Sequence, residues 1–183
     1  MTTILGEAFD KSGIEEWKKR VGEVEASKVS IQSTNRGTAI HKLCEDYILN
    51  VPMYTKGAMP VNVMTFQSIK KELDSHVNNI YGVEVPLYSG LLETAGRTDL
   101  LAEYDGVLSI IDYKTSKRPK EEKWIESYFV QATCYAMMTE ELKDTIVPQV
   151  VIIIAVDDQP EAQVFVKKTD DYRQRVLDIF KKK

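Results

Sequence analysis

The sequence predicts an α/β fold in which a mixed central β-sheet is flanked by helices. Three observations predict it. Gln149 to Val156 is an apolar run with no polar residue inside it, as expected of a central strand buried on both faces. Asp105-Gly106 sits between two β-type runs, the strongest short signal for a hairpin. The order helices, strand, hairpin, helix, strand, strand, helix puts a crossover helix between strand pairs, which a mixed sheet requires.

The chain has 183 residues, enough for one domain with a sizeable core. Its 43% hydrophobic and 28% charged content are ordinary for a globular protein. The net charge of −4 excludes a globally basic nucleic-acid binder but leaves room for a local basic surface. Cys44 and Cys134 each lie in a helix-like apolar context and read as reduced core thiols rather than a disulfide. Two cysteines cannot supply the four thiolates of an iron–sulfur cluster. The N-terminus shows neither a signal-peptide nor a transit pattern, and no apolar run approaches the ~20 residues of a membrane span. A cytoplasmic protein with no membrane partner is expected.

Taken in order, Ser12-Gly13-Ile14-Glu15 has capping-box spacing and opens a helix to about Val21. Trp17 and Arg20 lie on it; the Trp is either a core anchor or, among bases, a nucleic-acid contact. Residues 23–34 read as weakly helical, and Asn35-Arg36-Gly37 interrupts the pattern. A stronger helix is expected over 38–49 on the stripe Ile40, Leu43, Cys44, Tyr47 and Ile48. His41 and Glu45, one turn apart, serve either a metal or a helix-surface pair. After a connector over 51–63, the spacing of Phe66, Ile69, Leu73, Val77 and Ile80 predicts a helix over 65–80, ended by Gly82. Residues 83–88 read as a strand, placed at an edge by Pro86. A helix over 121–139 presents Trp124, Phe129, Val130, Cys134 and Met138 on one face, with Gln131 and Tyr135 as i, i+4 neighbours. A strand over 162–168 and a helix carrying Tyr172, Val176, Ile179 and Phe180 close the chain.

The hairpin carries the chemistry. A two-residue turn at Asp105-Gly106 sets Asp99 opposite Asp112 and Arg97 opposite Lys114, and alternation puts all four on one face. Two carboxylates ~5 Å apart repel by roughly 3 kcal/mol at an effective dielectric of ~20, more than the ~0.2–1 kcal/mol of a favourable cross-strand pair. A proton, a basic side chain or a metal ion must intervene, and hard oxygen ligands suit Mg²⁺ or Mn²⁺. On this register a metal-free Asp112→Asn variant is expected to be at least as stable as the parent.

Together these pieces resemble the PD-(D/E)XK nuclease superfamily in its RecB-like branch. Residues 36–45, Arg-Gly-Thr-Ala-Ile-His-Lys-Leu-Cys-Glu, look like that branch's histidine motif. Gly96-Arg97-Thr98-Asp99 looks like its G-x-x-D motif and Asp112-Tyr113-Lys114-Thr115-Ser116 like its D-x-K-T-S strand. Gln131-Ala132-Thr133-Cys134-Tyr135 looks like its Q-x-x-x-Y helix. Thr98 stands where the superfamily's name has Pro, which the RecB-like branch tolerates. The helical lead-in is similar to the layout of the mitochondrial genome maintenance exonucleases and compact phage exonucleases. With no transit pattern, a bacterial or phage-infected cell is the expected setting.

The resemblance implies a restriction-endonuclease-like core with an N-terminal helical extension. One nuclease domain over 1–183 is expected, mainly helical over 1–82, with the sheet and the Q-x-x-x-Y helix over 83–183. It implies His41, Asp99, Asp112 and the Tyr113 carbonyl as ligands of Mg²⁺ or Mn²⁺, the imidazole favouring Mn²⁺. Lys114 would act on the attacking water or the transition state, and Glu45 would support His41 or a metal-bound water. Gln131 and Tyr135 would hold the substrate strand, with Arg97, Ser116, Arg36, Trp17 and Arg20 as further DNA contacts. The implied activity is metal-dependent hydrolysis of DNA phosphodiesters, as an exonuclease on single-stranded ends. A flap nuclease or endonuclease of the same fold remains open, as does a non-catalytic DNA-binding or interaction module on an inactive nuclease fold.

Overall fold

A computed structural model describes residues 2–9 and 12–181. Among the described residues, six α-helices, α1 (Thr2–Ala8), α2 (Ser12–Val21), α3 (Glu23–Ile48), α4 (Pro60–His76), α5 (Glu126–Lys143) and α6 (Asp170–Phe180), surround five strands. The strands are β1 (Val77–Ser89), β2 (Thr94–Tyr104), β3 (Val107–Ser116), β4 (Gln149–Val156) and β5 (Gln163–Lys168). They form one sheet in the order β1-β2-β3-β4-β5. Only β3 and β4 run parallel, and α5 is the crossover that joins them. The predicted mixed sheet is therefore the observed one.

The sheet is covered on both faces. Ile40, Leu43 and Cys44 of α3 and Phe66, Ile69 and Leu73 of α4 pack on Leu100, Ala102, Ile111, Val151 and Ile153. Phe129, Val130, Cys134 and Met138 of α5, with Val176 and Ile179 of α6, pack on Leu101, Ile110, Ile152 and Ile154. Alternate residues of β4 thus enter opposite cores, the physical meaning of its unbroken apolar run. Both cysteines are free and buried. No helix among the described residues is long and apolar enough to cross a membrane.

Three local expectations are corrected. Helix α3 runs through Asn35-Arg36-Gly37 without a break. An interior glycine costs a helix ~1 kcal/mol, and the burial of Ile40, Leu43 and Cys44 outweighs it. Arg36 adds an ion pair to Asp157 beyond β4. Second, α4 begins at Pro60, a natural first helical residue, and ends at His76, so Val77 and Ile80 belong to β1. Helical spacing fits them equally well, but the ladder to β2 claims them, with register shifts on either side of Ile80. Third, Trp124 sits in a 3₁₀ turn (Glu122–Trp124) ahead of α5 and is 61% exposed, with the Lys123 ammonium 5.2 Å from its ring centroid. Trp17 is only half-buried, on a helix with no buried residue, so it is no core anchor.

The hairpin turn is built as predicted. Asp105 (φ 51°) and Gly106 (φ 77°) both lie in the left-handed region, the requirement of a type I′ turn. Its tip is tied to the end of α4: the Asp105 N–H donates to the His76 carbonyl at 2.9 Å, and the His76 ring stacks on Tyr104. A side chain at Gly106 meets no atom within 4 Å, so its cost is conformational. Gly106→Ala is expected to destabilise by about 1–2 kcal/mol and Gly106→Asn by less, since Asn tolerates this region. Melting curves of the two variants check the order.

Candidate active site at the fork of the sheet

The β2–β3 ladder runs in the predicted register from Tyr104–Val107 to Leu100–Ile111 and ends there. Beyond it β2 stays paired with β1 as far as Thr94–Ser89, while β3 stays paired with β4 as far as Ser116–Val156. The sheet splits into two ribbons, and Asp99 and Asp112 are the first residues past the split. The fork leaves the Tyr113 N–H without a strand partner, and the Asp99 carboxylate takes it at 2.8 Å through Oδ2.

The other Asp99 oxygen, Oδ1, lies 3.2 Å from His41 Nδ1. His41 Nε2 lies 2.9 Å from the Tyr113 carbonyl, so helix α3 is stitched to both ribbons through one imidazole. Burial pulls the His41 pKa down, but the hydrogen bond to Asp99 and the charges of Asp99 and Asp112 carry it above the ordinary value. On β3, buried Asp112 forms an ion pair with Lys114. Burial pushes the Asp112 carboxyl up, with Lys114 opposing. Burial works against the Lys114 charge, but Asp112 and Asp99 more than restore it, so Lys114 stays charged. Its ammonium lies 5.3 Å from the ring centroid of Tyr128 on α5.

The patch expected from hairpin arithmetic is therefore divided. Asp99 is partnered by His41 and the Tyr113 N–H and Asp112 by Lys114, so the repulsion between the carboxylates, which still helps to raise the Asp112 pKa, is offset by basic partners rather than left unrelieved. Arg97 does not pair with Lys114. It sits opposite Pro86 of β1, with its guanidinium 3.7 Å from Glu84.

Glu84 is the residue that pattern reading missed. It lies on β1 between the pairs Val83–Leu100 and Val85–Thr98, which aligns it with Asp99. Single carboxylate oxygens of Glu84 and Asp99 and a ring nitrogen of His41 all lie within 4.8 Å of one another. At that distance the two carboxylates repel by about 3 kcal/mol at an effective dielectric of ~20. Burial and the Asp99 charge raise the Glu84 pKa against the pull of His41 and Arg97. The signal was present in the sequence, but only for a reading that pairs β1 with β2.

An open cleft of about 370 Å³ exposes this cluster, lined by Gly37, Thr38, His41, Lys42, Glu45, Glu84, Arg97 and Asp99. Glu45 is held by Lys42 at 3.1 Å. One imidazole and two carboxylates at this spacing fit a divalent cation, whose ligands at about 2.0–2.6 Å stand no more than ~5 Å apart. On α5, the Gln131 amide donates to the Tyr135 hydroxyl at 3.3 Å, and burial pushes that hydroxyl up to about 12.

The remaining sequence candidates have other partners or positions. The Ser116 hydroxyl donates to the Arg118 carbonyl at 2.6 Å and accepts from the Arg118 N–H. Arg36 is ion-paired with Asp157. Trp17 and Arg20 lie on α2, which packs against α3.

The family profile of the PD-(D/E)XK nuclease superfamily matches residues 58–183. Mitochondrial genome maintenance exonuclease 1 of Mus musculus is 28% identical over 111 residues, 58% of this chain and 32% of that protein. The chain thus spans about a third of the length of this relative. The crystal structure of SSO0001 aligns over 78% of this chain and 69% of that one, at 9% identity and a TM-score of 0.38, too low to carry an argument. The profile match covers most of the chain and includes the whole sheet with its fork: the chain belongs to the PD-(D/E)XK nuclease superfamily.

Proposed function

We propose that this chain is a divalent-metal-dependent deoxyribonuclease that hydrolyses phosphodiester bonds from DNA ends, with single-stranded DNA as its substrate. The observation that supports this reading is the fork, where an imidazole, carboxylates and a charged lysine meet beside an open cleft. Nucleases of this superfamily use divalent metals. The exonuclease form draws support from the mouse relative, a mitochondrial genome maintenance exonuclease.

His41 and Asp99 would hold Mg²⁺ or Mn²⁺, with Asp112 and the Tyr113 carbonyl contributing from β3. The bound cation supplies charge neutralisation at the scissile phosphate and a lowered pKa for water. Lys114 is kept charged by Asp112 and donates to negative charge developing on the phosphoryl oxygens. Glu45, on the cleft wall one turn from His41, orients water. Gln131 and Tyr135, hydrogen-bonded to each other on α5, hold the backbone of the substrate strand. Arg97, 65% exposed at the cleft mouth, contacts phosphate.

The test is digestion of end-labelled linear and covalently closed circular single-stranded DNA with Mg²⁺, Mn²⁺ or EDTA. Linear DNA is expected to disappear only with a cation, and circles to survive. Cut circles would establish an endonuclease instead. Intact linear DNA under every condition would leave a binding module on a nuclease fold. Gln131→Ala and Tyr135→Phe are expected to weaken DNA affinity while leaving Mn²⁺ affinity intact; normal DNA binding and cleavage by both would reduce the pair to packing.

A further inference from the structure

We propose that Glu84, on edge strand β1, is a side-chain ligand of the divalent cation alongside His41 and Asp99, and that Arg97 is its counterion when no metal is bound. This rests on the metal-dependent reading above and extends its ligand set to a strand outside the hairpin. Donor atoms of all three side chains lie within 4.8 Å, the span one ion can bridge. Charge favours the same grouping. Asp112 shares its charge with Lys114, while Asp99 and Glu84 both face the His41 imidazole. Two negative charges match one divalent cation. In the metal-free chain His41 and Arg97 face them, Arg97 at 3.7 Å from Glu84 and 65% exposed, a pairing that solvent screens.

The backbone of β1 is shaped around this residue. Glu84 has φ 50°, inside a strand that keeps its register with β2 on either side. Residues two apart on a regular strand share a face. Here Val83 packs with the α3 and α4 core, while Val85 packs with the α5 core. The left-handed residue between them switches faces and leaves its own side chain at the sheet's split, beside Asp99. Backbone of this kind costs about 1–3 kcal/mol and persists where the surroundings or a site require it. Gly82 is part of the same device: a Cβ there would stand 2.4 Å from the Val85 side chain. A glutamate kept solely to pair with exposed Arg97 would need neither the switch nor the approach to His41.

The experiment is a Mn²⁺ titration of the EDTA-stripped chain, with free aquo-Mn²⁺ read by electron paramagnetic resonance. Parent, Glu84→Gln, Glu84→Asp and Arg97→Gln are compared, and melting curves in EDTA report folding. Both Glu84 variants are expected to bind Mn²⁺ about tenfold more weakly or worse, since even outer partners of metal ligands cost that much when removed. Glu84→Asp retains the charge and withdraws it by one methylene, so it decides the question if Glu84→Gln folds poorly. Arg97→Gln removes the competing cation and is expected to tighten Mn²⁺ binding. Glu84 variants that bind Mn²⁺ as tightly as the parent would overturn the assignment, as would a parent that binds none. A parent that binds Mn²⁺ through Glu84 yet leaves DNA intact would overturn the nuclease reading and leave the ligand assignment standing.

Discussion

Lys114→Ala is expected to lose DNA cleavage by a factor on the order of 10²–10³ or more while still binding Mn²⁺. Removing a single preorganised donor to transition-state charge costs about that much, and Lys114 need not touch the ion. The substitution also strands Asp112, which is buried and has Lys114 as its ion-pair partner. Burial already raises the Asp112 pKa, and Lys114 is the first influence holding it down. In the variant the folded-state pKa therefore rises further above the unfolded ~3.9. A carboxyl that binds its proton more tightly when folded stabilises at low pH and loses that contribution as pH rises through its folded pKa. The deficit of Lys114→Ala against the parent is expected to be smallest below about pH 4 and to widen above it. Melting curves at acid and neutral pH, beside single-turnover cleavage with Mn²⁺, test both halves. Near-normal turnover by the folded variant would remove Lys114 from the chemistry.

Asp112→Asn is expected to abolish cleavage and to melt below the parent in EDTA. Here the structure reverses the sign that hairpin arithmetic assigns. With Asp99 and Asp112 face to face, deleting one charge relieves repulsion. With Asp99 bound to His41 and the Tyr113 N–H, and Asp112 paired to Lys114, the same change leaves a lysine ammonium unpaired. Breaking a fully buried pair by removing one partner costs about 3–5 kcal/mol. The Lys114 side chain is 21% exposed, so water recovers part of this and about 1–3 kcal/mol is expected. For a chain of this length that is a fall of several degrees. A double-mutant cycle with Lys114→Ala isolates the pair energy from the two separate losses. A variant that melts at or above the parent in EDTA would restore the repulsive pair.

Elements whose signal is local were legible. The Asp105-Gly106 turn, the limits of α2 and β4, the edge position of β1 and the apolar stripes of α5 and α6 follow from spacing and turn chemistry within one window. The four motifs carried the family, which the profile match over 58–183 bears out. Where two local readings were equally good, pattern alone chose wrongly. Val77 and Ile80 fit a helix by spacing, and only the β2 ladder makes them strand. Gly37 reads as a break until the burial of Ile40, Leu43 and Cys44 holds the helix across it. Trp124 reads as core until α5 begins two residues later.

The sequence by itself singled out the candidates: His41, Asp99, Asp112 and Lys114 fall in motifs that resemble those of the superfamily in type, order and spacing. Only the tertiary structure decided how they are shared. The ladder ends one pair before Asp99 and Asp112, which gives each carboxylate its own partner, and β1 swings Glu84 into the gap beside Asp99. The reason is physical. Alternation along a strand is a property of one segment, whereas the point at which two ribbons part depends on what three strands and a helix gain by packing elsewhere. A backbone N–H released at that point must find an acceptor, and in this fold the acceptor is the carboxylate of Asp99.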